Sequence, residues 1–207
     1  SHSIINVKTL PKTIKKLVCE KYSDINLELI KSLDNLESLT ITDQSCDELI
    51  PLLSDSLKIL ILKKCYLHKI NKLPKNLKVL DLTESFNTTN DEYLTNINLP
   101  SSLETLIIKK NKLRILPKIP PKLKYLNCNY NKIKTIPLLP DTMKYLYFSI
   151  NDVNELYKMP RSLKVLHHYR NPIDTYIYYK YDYNWKKMIE YQNNFNITSF
   201  VYLGYFI

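Results

Sequence analysis

Short apolar segments recur along this chain about every twenty residues, and such a period confines it to architectures that stack one small unit on the next. The first apolar residues of the units are Ile14, Leu36, Leu57, Leu77, Leu103, Leu123, Met143 and Leu163, separated by 22, 21, 20, 26, 20, 20 and 20 residues. The unit is plainest in LETLIIKKNKLRILPKIPPK, LKYLNCNYNKIKTIPLLPDT and MKYLYFSINDVNELYKMPRS. Counting the first apolar residue as position 1, apolar side chains fill positions 1, 4, 6, 11, 14 and 17, with proline at 18. The segment x-Leu-x-Leu-x alternates with period two and predicts a short strand. Positions 4 and 6 then face inward, and 3, 5 and 7 face the opposite side. No unit this small is stable alone; stacking joins the inner faces into one column.

Asn111, Asn131, Asn151 and Asn171 share position 9. A buried amide there satisfies backbone groups that the inward turn takes away from water, in its own unit and in the neighbouring one. Replacement by Cys65, Ser85 and Gln44 predicts a less regular N-terminal half. Pro74, Pro100, Pro120, Pro140 and Pro160, with Pro117 and Pro137, predict an extended, helix-poor return path. A short helix is expected in SDINLELIKSLDN and a single helical turn in CDELIPLLSDS. Repeat four is longer through SFNTTNDEYLTNIN, which is expected to bulge as a loop.

This unit resembles the leucine-rich repeat, and its short form with paired prolines is similar to the repeats of bacterial effector proteins. The match covers residues 4–175, closest at Leu103–Ser162 and looser at Ile14–Ser102. Phe86-Asn87 in the insertion is similar to the FNIP repeat, in that unit alone. The resemblance implies an α/β or mostly β solenoid, an arc or horseshoe with a parallel sheet on its concave side. It also implies a non-enzymatic protein-binding scaffold. One effector branch carries a ubiquitin-ligase domain far larger than the tail here, and no cysteine lies beyond Cys128, so that activity is not carried over.

Residues 4–175 are thus expected to form the repeat domain, with Ile4, Val7, Leu10 and Pro11 fitting an incomplete first unit. Residues 176–207, rich in tyrosine and holding the only Trp, are expected to form a C-terminal cap. Within them, Tyr183 to Asn194 fits an amphipathic helix, and Phe200 to Ile207 a closing strand. The alternative use of this tail is oligomerisation.

Positions 3, 5, 7, 8 and 10 are expected to line the concave face. In the C-terminal half these include Lys109, Lys110, Lys112, Tyr125, Tyr130, Lys132, Tyr145, Tyr147, His167, Tyr169 and Arg170. Tyrosine supplies broad amphipathic area with little rotamer loss, and Lys and Arg supply charge complementarity. A protein or extended peptide is the expected partner. The alternative is nucleic acid or another polyanion, gripped by stacking on tyrosines and by the net charge of +10. Tyrosines stacked only to stabilise the sheet are the third reading. The N-terminal half offers Ser38, Thr40, Thr42, Asp43, Asp81, Thr83 and Glu84, which are small or acidic. At position 2 a rim of Lys15, Lys58, Lys78, Lys124, Lys144 and Lys164 is broken by Glu37 and Glu104.

Chemistry beyond binding is poorly supported. Cys19, Cys46, Cys65 and Cys128 fall at interior positions and read as core thiols, without metal or disulfide spacing. His167 and His168 are adjacent in a strand and point to opposite faces, His168 inward. With Gly204 the only glycine there is no phosphate-binding loop, and no cofactor or metal is expected. Sequons at Asn87 and Asn196 are expected by chance in an Asn-rich chain. No membrane span and no secretory leader are visible, although Ser1-His2-Ser3 resembles the remnant of an expression tag. The expected setting is intracellular, cytoplasmic, inside a host cell if the source is a virus or bacterium.

Overall fold

A computed structural model describes residues 10–20, 27–68, 70, 72–86, 97–182, 184–194 and 199–201. Each repeat contributes one strand beginning at position 3: β1 Lys16–Cys19, β2 Ser38–Thr42, β3 Ile59–Lys63, β4 Val79–Asp81, β5 Thr105–Ile107, β6 Tyr125–Asn127, β8 Tyr145–Tyr147 and β10 Val165–His167. They pair in parallel in that order as one eight-stranded sheet. The register places position 4 against position 4 throughout, from Leu17 and Leu39 to Leu146 and Leu166. Alternation therefore holds in three dimensions, and Leu39, Leu60, Leu80, Leu106, Leu126 and Leu146 are all 0% exposed.

The return path is extended. β7 Thr135–Ile136 and β9 Glu155–Tyr157 pair in parallel, and β11 Ser199–Val201 joins β9 antiparallel, giving a second, three-stranded sheet. Helix is confined to Leu27–Lys31 in repeat one, a 3-10 turn at Ile50–Leu52 in repeat two, and Ile173–Tyr181 and Trp185–Asn194 after the last concave strand, among the described residues. Ser85, Phe86 and Ile97 from the repeat-four insertion are buried; its middle, with Asn87, lies outside the described residues, as do Ile4, Val7, Asn196 and residues 202–207.

The asparagine ladder is continuous. Asn131 accepts at Oδ1 from the N–H groups of Asn111 and Leu113, both 3.0 Å away. Its Nδ2 donates to the carbonyls of Ile108 (3.0 Å) and Cys128 (2.9 Å). Asn151 and Asn171 repeat the pattern one and two units later, except that the N–H of the preceding asparagine turns to the Ile150 or Arg170 carbonyl. The N-terminal substitutes extend it instead of interrupting it. Ser85 donates to the Leu62 carbonyl at 2.7 Å and accepts from the Cys65 N–H at 3.3 Å. Cys65 donates through sulfur to Ile41, and Gln44 donates to Glu20. Any donor of adequate reach serves at position 9, because the need belongs to the backbone.

Three repeat-wide features escaped the sequence reading. In all eight repeats the N–H of position 1 donates three residues back, to Pro11, Leu33, Ser54, Pro74, Pro100, Pro120, Pro140 or Pro160. Proline thus occupies a turn that Leu33 and Ser54 make without it. Hydroxyls of Ser56, Ser102, Thr142 and Ser162 form a second ladder, donating to the position-1 carbonyl of the preceding repeat at 2.6–2.9 Å. Position 8 lies in the left-handed region in repeats two to eight, with φ between 54° and 60° at Asp43, Lys64, Glu84, Lys110, Tyr130, Ile150 and Arg170. A β-branched residue such as Ile150 is strained there.

The ladder ends on a carboxylate. Asp174, in the first turn of the helix Ile173–Tyr181, accepts the Asn171 N–H at 3.0 Å, as a further asparagine would. Its other oxygen bonds His168 Nδ1 at 2.7 Å, so His168 is a buried, partnered core residue. Beyond it, Ile173, Ile177, Met188 and Ile189 belong to the same continuous core as the repeats.

Candidate functional site

Strands in a sheet lie about 4.8 Å apart, so equal positions in successive repeats stack across the concave face. Positions 3 and 5 of the last repeats hold Tyr125, Tyr145, Tyr147 and His167, and the rings meet. Tyr125 and Tyr145 are 6.1 Å apart between ring centres, and Tyr125 and Tyr147 are 5.3 Å apart on the diagonal. Tyr147 stacks on His167 at 4.9 Å with 17° between planes. Tyr169 at position 7 meets His167 edge-on at 6.3 Å and is 57% exposed. The result is an aromatic plate across β6, β8 and β10. Burial raises the Tyr147 phenol above its ordinary pKa, with a smaller contribution from Tyr125 and Tyr145. Tyr147 therefore stays neutral at physiological pH and presents the plate as a hydrogen-bonding but uncharged surface.

The basic residues divide into separate groups. Lys110 pairs with Glu84 at 2.7 Å and lies 6.0 Å from the Tyr130 ring centre. The pair lowers the Glu84 carboxyl and raises the Lys110 ammonium, each chiefly through their hydrogen bond. Lys110 and Lys112 also line a cavity of about 420 Å³ with Asp43, Lys64, Tyr66, Glu84 and Phe86, away from the plate. Lys109 is half-buried, whereas Tyr130, Lys132 and Arg170 are exposed at positions 8 and 10 beside the plate. Tyr66 and Lys112 are the position-10 residues with positive φ, 48° and 58°, and both flank repeat four. Phe86, from the insertion, lines the cavity beside residues of the regular repeats, a juxtaposition that no single-repeat pattern announces.

The N-terminal concave strands carry no such plate. Asp81 is buried at position 5, bonded to Thr83 and paired with Lys63 at 3.3 Å. The four cysteines are buried free thiols, and burial raises Cys19 to about 11 and Cys128 further. Among the described residues no group of three His, Cys, Asp or Glu side chains is placed to hold a metal ion. None of the described helices is long and apolar enough to cross a membrane.

No protein-family model matches the chain, and no curated protein does. Among solved structures it is similar to YopM from Yersinia enterocolitica WA-314, a bacterial effector leucine-rich-repeat protein, with a TM-score of 0.55 and 27% identity over 76% of this chain. The chain spans 35% of the length of that structure. Parallel strands one per repeat and this neighbour together make the fold a leucine-rich-repeat solenoid, with repeats similar to those of effectors.

Proposed function

We propose that this leucine-rich-repeat solenoid is a non-enzymatic protein-binding scaffold, and that its partner, a protein or extended peptide, seats on the C-terminal half of the concave sheet. The observation that carries the reading is the contiguous aromatic plate of Tyr125, Tyr145, Tyr147 and His167, bordered by exposed Tyr130, Lys132, Tyr169 and Arg170. Contacts with one another hold these rings in place, so little conformational freedom is lost on binding. Their phenol groups still offer hydrogen bonds to a partner's backbone. The similarity to YopM supports a scaffold at the level of the fold. Four buried free thiols fit an intracellular setting.

The test is affinity capture followed by mass spectrometry, comparing wild type with a Tyr125→Ala/Tyr145→Ala/Tyr147→Ala variant and a Tyr169→Ala/Arg170→Ala variant. Circular dichroism confirms that each is folded. Partners held by wild type are lost or strongly depleted with both variants, and retained by a Ser38→Ala/Thr40→Ala control in β2. Equal recovery of the same partners from wild type and both plate variants refutes the assignment.

A further inference from the structure

The position-2 rim follows an order that repeats twice and then stops. Glu37 lies between Lys15 (3.4 Å) and Lys58 (2.7 Å), its carboxyl held below the ordinary range chiefly by the Lys58 hydrogen bond. Glu104 lies between Lys78 (3.9 Å) and Lys124 (2.6 Å) and is lowered in the same way, chiefly by Lys124. Six adjacent rim residues thus form two Lys-Glu-Lys triplets, each bridging three strands. The next two, Lys144 and Lys164, have no acid between or beside them in the rim, and neither forms an ion pair among the described residues. Their strands are adjacent, with the Lys164 N–H bonded to the Lys144 carbonyl at 2.8 Å. Like charges held one strand apart repel; Lys58 and Lys78 are also neighbours, but each bonds a glutamate on its other side, as Lys144 and Lys164 do not.

The two lysines without an acid immediately precede β8 and β10, the strands that carry Tyr145, Tyr147 and His167. Building on the concave-face reading above, we infer that the partner is an acidic extended peptide. One of its Asp or Glu carboxylates supplies Lys144 and Lys164 with the acid that every earlier rim lysine has from Glu37 or Glu104, while neighbouring apolar residues lie on the aromatic plate. An exposed ion pair alone contributes little. Beside a surface that becomes dry on binding, the same pair gains strength and selects the sign of the ligand's charge. Prolines in the peptide suit the plate, because a pre-extended chain loses little entropy when it lies across aromatic rings.

The probe is a fluorescein-labelled dodecapeptide of alternating Glu and Pro, titrated with the whole chain and followed by anisotropy. A Gln-Pro peptide and an oligo-dT of twelve nucleotides are run beside it. The Glu-Pro peptide binds at least about tenfold tighter than the Gln-Pro peptide, and its affinity falls about tenfold or more in Lys144→Glu/Lys164→Glu. A Lys15→Gln/Lys58→Gln control, whose lysines are already paired, changes it less than about twofold. Equal binding of the two peptides, no binding of the acidic one, or indifference to the Lys144/Lys164 reversal overturns the inference. So does tighter binding of the oligonucleotide lost in the same variant. The two readings fail separately: captured proteins that need the tyrosines but not the lysines leave the concave face standing, whereas peptide binding that needs the lysines but not the tyrosines removes it.

Discussion

Strands β2 and β3 run five residues each, while every concave strand from β4 onward runs three. The N-terminal half has the longer strands and the scattered position-9 residues Gln44, Cys65 and Ser85; the C-terminal half has short strands and an unbroken run of asparagines. One half therefore relies more on strand pairing, the other more on side-chain bonds that tie each inward turn to its neighbours. Their surfaces differ in the same sense. The acids of the first half are spent internally, as in Asp81 with Lys63 and Glu84 with Lys110, and the second half leaves aromatic rings and cations facing outward. Regular repetition supports the proposed binding face, and irregular repetition satisfies itself.

The sharpest way to break this contrast is at position 9. Asn131→Leu leaves the buried Asn111 and Leu113 N–H groups without their acceptor, while the Ile108 and Cys128 carbonyls keep Asn111 and Asn151 as donors, and is expected to cost about 2–3 kcal/mol, whereas Ser85→Ala costs about 1 kcal/mol. Urea midpoints at unchanged m-value measure both, and equal losses would dissolve the distinction between halves. Removing the terminator, Asp174→Ala, orphans the Asn171 N–H and buried His168 and costs about 2 kcal/mol. Amide exchange should then rise first in repeat eight and leave β2 and β3 protected.

Position 8 gives a smaller effect of opposite sign. Ile150→Gly relieves a β-branched residue at φ 59° and is expected to stabilise by about 0.5–1 kcal/mol in thermal melts. Asp43→Gly gains nothing, since Asp tolerates that region well. The smallest effect is at the rim. Glu37→Gln and Glu104→Gln are expected to lower the melting temperature barely, and not at all in molar salt. The folded carboxyls lie below the ordinary 4.5, so their contribution is complete above that pH and vanishes as pH falls through the lowered folded values. The two variants should converge with wild type in strong acid.

Much of this was legible because the spacing of leucines specifies strands, faces and stacking at once. The rings of Tyr125, Tyr145, Tyr147 and His167 could be aligned by counting, since equal positions in a parallel register are neighbours. The left-handed position 8 was hidden, because glycine is the usual marker of positive φ and this chain places Asp, Lys, Glu, Tyr, Ile and Arg there. The engagement of Lys110 was hidden as well. Its partner Glu84 is 26 residues away across the insertion, not the twenty that the other repeats teach. Asp174 was overlooked because it stands outside the pattern it completes.

That carboxylate has an evolutionary and engineering consequence. Each interior unit shares with its neighbour the position-11 N–H bond and the two Nδ2 donations, and Asp174 accepts from the asparagine that comes last. Excising residues 123–142, or duplicating them, would leave each position-11 N–H and each Nδ2 donor facing an acceptor of the same kind. The number of turns is therefore a quantity that recombination can change in whole steps without redesigning either end, so that the length of the solenoid can be varied independently of its caps.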